Sequence, residues 1–367
     1  HGLEGGLLDF RHRYFNPNLA FSKEVVIFDI DERSLEELRD TPGYGRWPWP
    51  RSVYPRFLEF FQQCDSKLVL FDILFTGSTP ADGSLVLTNQ IMGDRLSYAL
   101  QFLNEEGASA PPLPPGIQAS AVTVQGDRKR VEYNTVSFPA PAITASARLF
   151  HSVEFASDTD GVARQIQPFF RHAGQDFPTL AMRGLIATTD TRDFHWEASH
   201  LTFQRDGKTR HWPVREQGLP LHYYSEKVTA SIPRYSAFAV IATQAAIEQG
   251  TVSDFAQLPI NPETLAGKIV IIGTSAAATH DTKITPYGAQ PGVLLHATLM
   301  SNLLEDHTLR FIPDWIGWVA LILFNLGAAY SLLLSPRSAG LRIILPALVL
   351  IVFALAALSL LDRKSVV

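Results

Sequence analysis

Two uncharged apolar runs, Trp315 to Leu334 and Ile343 to Leu361, stand at the end of the chain, each long enough to cross a roughly 30 Å hydrocarbon core as a helix. In lipid a backbone must satisfy its own hydrogen bonds, so runs of this kind have few folds other than membrane helices. The residues ahead of them carry almost all the charge. The expected division is a juxtamembrane segment at 1–22, following a membrane helix ahead of His1, a water-soluble body at 23–310, and a transmembrane region at 311–367. Between the two runs, Ser335 to Arg342 holds Arg337 and Arg342 and no acid. By the positive-inside bias that loop is cytoplasmic, which puts the body on the outer side of the membrane. The chain opens on His and not on Met, which implies a lost start, and Val366-Val367 after the Asp362-Arg363-Lys364-Ser365 stretch reads as the opening of a third span.

The net charge of -5, with acids and bases interspersed, offers no basic face and excludes nucleic acid as a partner. A body of this length buries enough surface to fold without disulfide or metal. The single Cys64 has no partner for an internal disulfide and is expected to serve as a small core hydrophobe.

Residues 23–31 form a short apolar run ending in Asp29 and Asp31, a helical patch SLEELRD follows, and a second helix is predicted over Val53 to Cys64. Lys67 to Phe75 (KLVLFDILF) is another buried-strand run. Strand, helix, strand at this spacing predicts parallel pairing in a right-handed unit. A helix is expected over Asp94 to Glu106 inside a long loop, strands over GIQASAVTVQG, and turns at Asp160-Gly161 and Asp206-Gly207. A helix over Thr179 to Ile186, a central strand over Gly267 to Gly273 and a helix over Leu294 to Leu304 complete the body. The fold class is therefore α/β: a mixed, partly parallel sheet with helices on its faces, followed by a transmembrane helical segment.

The most specific string is GRWPWPR, in which Trp47 and Trp49 alternate with two prolines that fix an extended corner. Arg51 follows at a helix start, where a cation gains nothing from the dipole, so a carboxylate partner is expected among Asp29, Asp31 and Asp72. The corner reads either as a packed ion-pair network or as a ligand-facing aromatic cage. Taken in order, IDERSL, GRWPWPR, LVLFDILF, DTDGVARQ, GKIVIIGTSAAATHD and PGVLLHA resemble the second type of CHASE domain over about residues 4–305. That resemblance implies an extracellular sensory module of a bacterial nucleotidyl cyclase or of a histidine or serine/threonine kinase. The implied setting is a multi-pass inner-membrane protein and homodimer whose cytoplasmic output lies outside these residues. Class III adenylate or guanylate cyclase is the favoured output, and Mg or Mn would belong to that missing domain. No cofactor is expected here, and the stimulus is an unknown small molecule or protein. The positions that match the family are Asp31, Trp47, Trp49, Arg51, Asp72, Asp158, Asp160, Gly161, Arg164, Asp281, Thr285, Pro286, Gly292 and His296, with the loop from Phe75 to Ile117 as the main departure.

The same residues admit rival chemistries. Asp29 and Asp31 after a hydrophobic strand resemble a phosphatase nucleophile and acid, yet Lys283 and Asp281 are the only charged candidates downstream and no acidic pair follows another strand. Gly273-Thr274-Ser275 suggests an anion cradle, although a catalytic Ser275 lacks the nucleophile-elbow pattern. Asp158 to Gly161 begins like a Ca²⁺ loop without completing it, and His296 is expected as a packed histidine. Signalling candidates are thus Asp29, Asp31, Trp47, Trp49, Arg51, Asp72, Asp158, Asp160, Arg164, Ser275, Asp281 and His296, with no catalytic or metal-binding residue.

Overall fold

The computed structural model describes residues 2–14, 19–106, 112–155, 158–189, 191–216, 218–250 and 258–309, with individual helical residues between 319 and 330. The chain divides into two compact units, His1–His307 and Thr308–Val367. In the first unit the elements used below are, in chain order, α1 (Gly2–Tyr14), β1 (Val25–Ile30), α2 (Glu32–Glu37), α3 (Tyr54–Gln63), β2 (Leu68–Phe71), α4 (Gly83–Met92), β3 (Leu96–Leu103), β4 (Thr135–Ser137), β5 (Leu149–Ser152), α5 (Leu180–Thr189), β6 (Arg234–Ser236), α6 (Ala237–Glu248), β7 (Ile269–Thr274), β8 (Thr282–Thr285), β9 (Gly288–Pro291) and α7 (Gly292–Glu305).

The central sheet runs β6-β1-β7-β2-β3, with β5 also beside β3, and all of these strands are parallel. Only β4 is antiparallel, pairing with Gln101 to Leu103 of β3. The core strands read as unbroken apolar text because both faces are covered. Their period of two then deals side chains to two cores. Val26, Phe28, Ile30, Val69, Phe71, Val270 and Ile272 join Phe57, Phe60 and Phe61 of α3. Val25, Ile27, Leu68, Leu70, Ile269 and Ile271 join α5 and α7 on the other side. The helices α5 and α7 meet closely at Gly184, where a Cβ would come within 2.6 Å of Met300 Sδ. A flanking four-stranded sheet, Thr123–Gln125, Asp193–Trp196, His200–Arg205 and Lys208–Pro213, adds Phe194, Trp196, Phe203 and Trp212 to this second core. Its hairpin turns at Asp206 (φ 50°) and Gly207 (φ 70°), the left-handed pair that matches strand twist.

Three expectations change, the first being the strand expected from Gly116, which is helix over Pro115–Ala119 and strand only over Thr123–Gln125. The stretch from Asp94 to Glu106 contains β3, not a helix, and the helix lies upstream as α4. Five of the first residues of β3, Leu96 to Leu100, are all buried, and such a doubly covered run carries no alternation to set it apart from a buried helix. Also, β1 and β2 are parallel but not neighbours, since β7 enters between them and bonds to both. The apolar runs at 315–334 and 343–361 lie almost wholly outside the described residues, among which no helix is long and apolar enough to cross a membrane. The loop from Ser335 to Arg342 is outside them too.

Candidate functional site

Parallel strands bring their C-terminal ends to one edge, the usual place for sites on open α/β sheets. Here that edge carries Asp29 on β1, Asp72 immediately after β2 and Ser275 immediately after β7. Asp29 is buried and accepts a hydrogen bond from Ser275 Oγ at 2.7 Å, with Arg234 Nη1 3.7 Å away. Burial raises the Asp29 carboxyl above its ordinary range, against the opposing pull of Ser275 and Arg234. Asp72 Oδ1 lies 3.8 Å from His296 Nε2, which also faces Val153 O at 3.2 Å. Burial brings His296 down to about 3 and raises Asp72 well above the carboxylate range, the latter reinforced by the charge of Asp281. At neutral pH the imidazole is uncharged, so this contact is no ion pair. Beneath it His151 is satisfied on both sides, by Ser97 Oγ at 2.7 Å and Phe71 O at 2.9 Å, and burial likewise lowers it to about 3.

Asp281 sits against the start of α7, where a Cβ on Gly292 would fall 2.4 Å from Asp281 Oδ2. A carboxylate at that place is favoured by the unpaired N–H groups of a helix N-terminus. Lys283 Nζ is 3.3 Å from Asp281 Oδ1 and 5.6 Å from the Phe155 ring centre, and Phe155 in turn covers His296 at 4.2 Å between ring centres. The edge thus joins Asp72, His296, Asp281 and Lys283 into one polar seam. Ser275 donates to Asp29 and not to an imidazole, so no serine–histidine pair forms there. Among the described residues no group of three His, Cys, Asp or Glu could hold a metal ion.

Several predicted residues have other duties. Asp31 caps α2: its Oδ1 accepts from Ser34 N at 2.8 Å, Ser34 Oγ at 2.6 Å and Ser236 Oγ at 3.0 Å. Its carboxylate is committed to these three donors. Arg51 pairs with none of Asp29, Asp31 and Asp72; Nη1 meets Asp82 Oδ1 at 2.5 Å and Nη2 donates to Thr76 O at 2.6 Å. Asp82 lies in the Phe75–Ile117 stretch, the main departure from the family pattern, where a capping box with Thr79 orients it. Trp49 is buried against Tyr44 and Phe57, and half-buried Trp47 meets it edge-on at 5.7 Å between ring centres. The anion cradle fails because Ser275 N and Ala276 N both donate to Ile30 O, leaving those amides occupied. Cys64 is buried, and burial pushes its thiol up to about 11, out of nucleophile range.

Arg164 gathers the rest. It is 4% exposed and forks onto two carboxylates: Nε and Nη2 meet the oxygens of Asp9 at 2.7 and 2.8 Å, while Nη1 and Nη2 both meet those of Asp160 at 2.9 Å. Nη1 also donates to Asp158 Oδ2 at 2.8 Å. Donating to the Asp9 carboxylate is the largest influence raising the guanidinium's already high pKa, so its charge is permanent. Asp158 and Asp160 are thereby spent on an arginine, not on calcium, and Gly161 (φ 79°) closes the turn between them and Val162.

The family model of the CHASE2 domain matches residues 1–330, most of the chain. The chain belongs to the CHASE2 family. CHASE2 domains are extracellular sensory domains of signalling proteins, so this body is a sensor. No curated protein and no solved structure matches the chain.

In this CHASE2 sensor the partner of Arg164 matters most, because Asp9 belongs to α1 and not to the sheet. The guanidinium also lies 3.1 Å from where a Cβ on Gly5 would be, so the helix passes with its backbone close over it. Further along, Tyr287 Oη of the β8–β9 hairpin donates to His12 O, and Arg13 Nε of α1 donates back to Pro286 O of the hairpin at 2.7 Å. His12 itself is buried against His222 and Tyr223, and burial lowers it to about 3. The hairpin is in turn stitched to the Arg164 loop by Ala163 N donating to Ile284 O at 2.8 Å, and it leads straight into α7. Asp9, His12, Arg13 and Tyr287 were missed by the sequence reading. The segment around them read as an extension of a membrane helix, although Asp9, Arg11 and Arg13 in one short stretch are a polar signal that lipid does not explain.

Proposed function

We propose that this sensor stands outside the cytoplasm of a bacterium, held at the inner membrane by the apolar runs at 315–334 and 343–361, and relays a stimulus to a cytoplasmic output domain. By the commonest layout of the family, that output is a class III adenylate or guanylate cyclase, with Mg or Mn in its own active site. The lipid bilayer and a second copy of the chain are then its standing partners, since such cyclases build active sites between two subunits.

The single observation that carries the relay is the Arg164 fork on Asp9. The segment on the membrane side of the sensor at one end, α1, is fastened by polar groups to the same hairpin that starts α7 at the other. A stimulus changes output only if it binds the two arrangements of these helices unequally, and a latch of a few polar contacts is the element for which two arrangements cost little.

The test uses the full-length protein. Arg164→Ala frees α1 while leaving the sheet intact, and basal nucleotide-cyclising activity in membranes is expected to shift about fivefold or more, the range of ordinary allosteric coupling. Unchanged activity in a folded variant overturns the relay. Placement is tested by fusing alkaline phosphatase after His307, which is active only outside the cytoplasm; an inactive fusion overturns the topology.

A further inference from the structure

An open cleft of about 470 Å³ lies between the short helix Glu226–Ala230, β6 and the β8–β9 hairpin. Its walls include Glu226, Thr229, Ile232, Arg234, Tyr287 and Gln290. The volume lies within the range of small-molecule sites. What sets it apart is its charge. Glu226 and Arg234 both line it, yet no ion pair within 4.0 Å joins them among the described residues. The one ionic contact of Arg234 there is the long one to Asp29 at 3.7 Å, which leaves most of its donors unused. Glu226 is exposed at the first turn of its helix, and its carboxylate takes no hydrogen bond from any described residue.

We propose that this cavity is the stimulus site and that it takes a small zwitterion, an α-amino acid or a short peptide, with its carboxylate on Arg234 and its ammonium on Glu226. The inference rests on the sensor reading above and names its ligand class. The charge pair itself argues for the class. A simple anion would meet Glu226, a simple cation would meet Arg234, and an apolar ligand would strip water from both without replacing it. Only a molecule carrying both charges satisfies the two walls at once. Tyr287 and Gln290 supply the outlet for the signal: the Tyr287 hydroxyl holds His12 O of α1, and Gln290 pairs with Lys283 across the hairpin two residues ahead of α7. An occupant of the cavity therefore touches the strap that fastens one end of the sensor and begins the other.

The intact chain, purified in detergent micelles, is titrated by calorimetry with each standard amino acid, with dialanine, and with acetate and methylamine as half-charged probes. Saturable binding of at least one zwitterion is expected, with no binding of acetate or methylamine. Response to the amino acids alone assigns the free monomer, and tighter binding of dialanine assigns the peptide; either supports the site. Glu226→Gln and Arg234→Gln are each expected to weaken affinity about tenfold or more, since each leaves one ligand charge unpaired. Glu226→Gln alters an exposed side chain, so it decides the matter even if Arg234→Gln unfolds through Asp29. Absence of binding by every zwitterion, equal binding of the half-charged probes, or full affinity in Glu226→Gln overturns the proposal. Because binding is measured without reference to output, a site lacking the relay and a relay lacking this site give different results.

Discussion

Arg51 and Arg164 are both nearly buried and both face carboxylates, yet they do opposite things to the fold. Arg51 ties a loop to its own neighbourhood: Asp82 and Thr76 on one side, the Phe75 ring 5.7 Å away on the other. Arg164 ties the sensor's body to α1, reaching Asp9 from 155 positions away in sequence. A brace of the first kind can break only by opening the core around Tyr54, Phe71 and Phe75. A clasp of the second kind can let go while the sheet behind it stays whole, because both Asp9 and Asp160 keep some exposure and can rehydrate. Burial alone does not distinguish an arginine that braces one neighbourhood from one that clasps two segments. What distinguishes them is whether the partner can leave.

The sharpest way to break this contrast is to remove both cations in turn. Arg51→Ala is expected to cost about 3–5 kcal/mol of global stability, because it leaves the buried Asp82 carboxylate without its cation. Thermal or denaturant unfolding measures it, and a loss confined to α1 would erase the difference between the two sites. Arg164→Ala is expected to cost less, about 1–2 kcal/mol, with amide exchange in Gly2 to Tyr14 rising far more than in β1 or β7. Uniform exchange across the sensor would make Arg164 another brace.

The smallest effect concerns a carboxyl with no arginine. Hydrogen bonding from Arg164 holds Asp160 low, whereas burial lifts Glu154 to about 7 despite the Phe102 N–H it accepts at 3.1 Å. A folded pKa above the unfolded one means the folded state keeps a proton that the unfolded chain has lost. That stabilisation is complete below about pH 4.5 and fades as pH rises through about 7. Glu154→Gln should therefore make the stability–pH slope shallower by about one proton in that window. An unchanged slope places the titration elsewhere.

Much of the sheet was legible in the sequence because β1, β2 and β7 are apolar runs bounded by acids or glycines, and the Asp206-Gly207 turn carries its own signature. What the text could not carry was order. Nothing local to β7 says that it inserts between β1 and β2, since a fully buried strand advertises both faces equally. The same symmetry hid β3 as a helix. At the sheet edge, Asp29 and Asp72 stood out as acids at strand ends, and Asp281 and His296 only as positions that match the family pattern. The Arg51–Asp82 and Arg164–Asp9 pairs were not, because their partners lie in segments that look like loop and membrane helix.

The helix α7 has every residue from Gly292 to Leu304 buried. Asn302 spends its amide on His222 and Tyr224, and Asp306 (φ 61°) stops the helix with its N–H on Asn302 O while Arg210 grips its carboxylate. A rod gripped on all flanks cannot turn or slip without dismantling the body around it. In the relay proposed above it is the fixed part, and α1 is the part that moves against it.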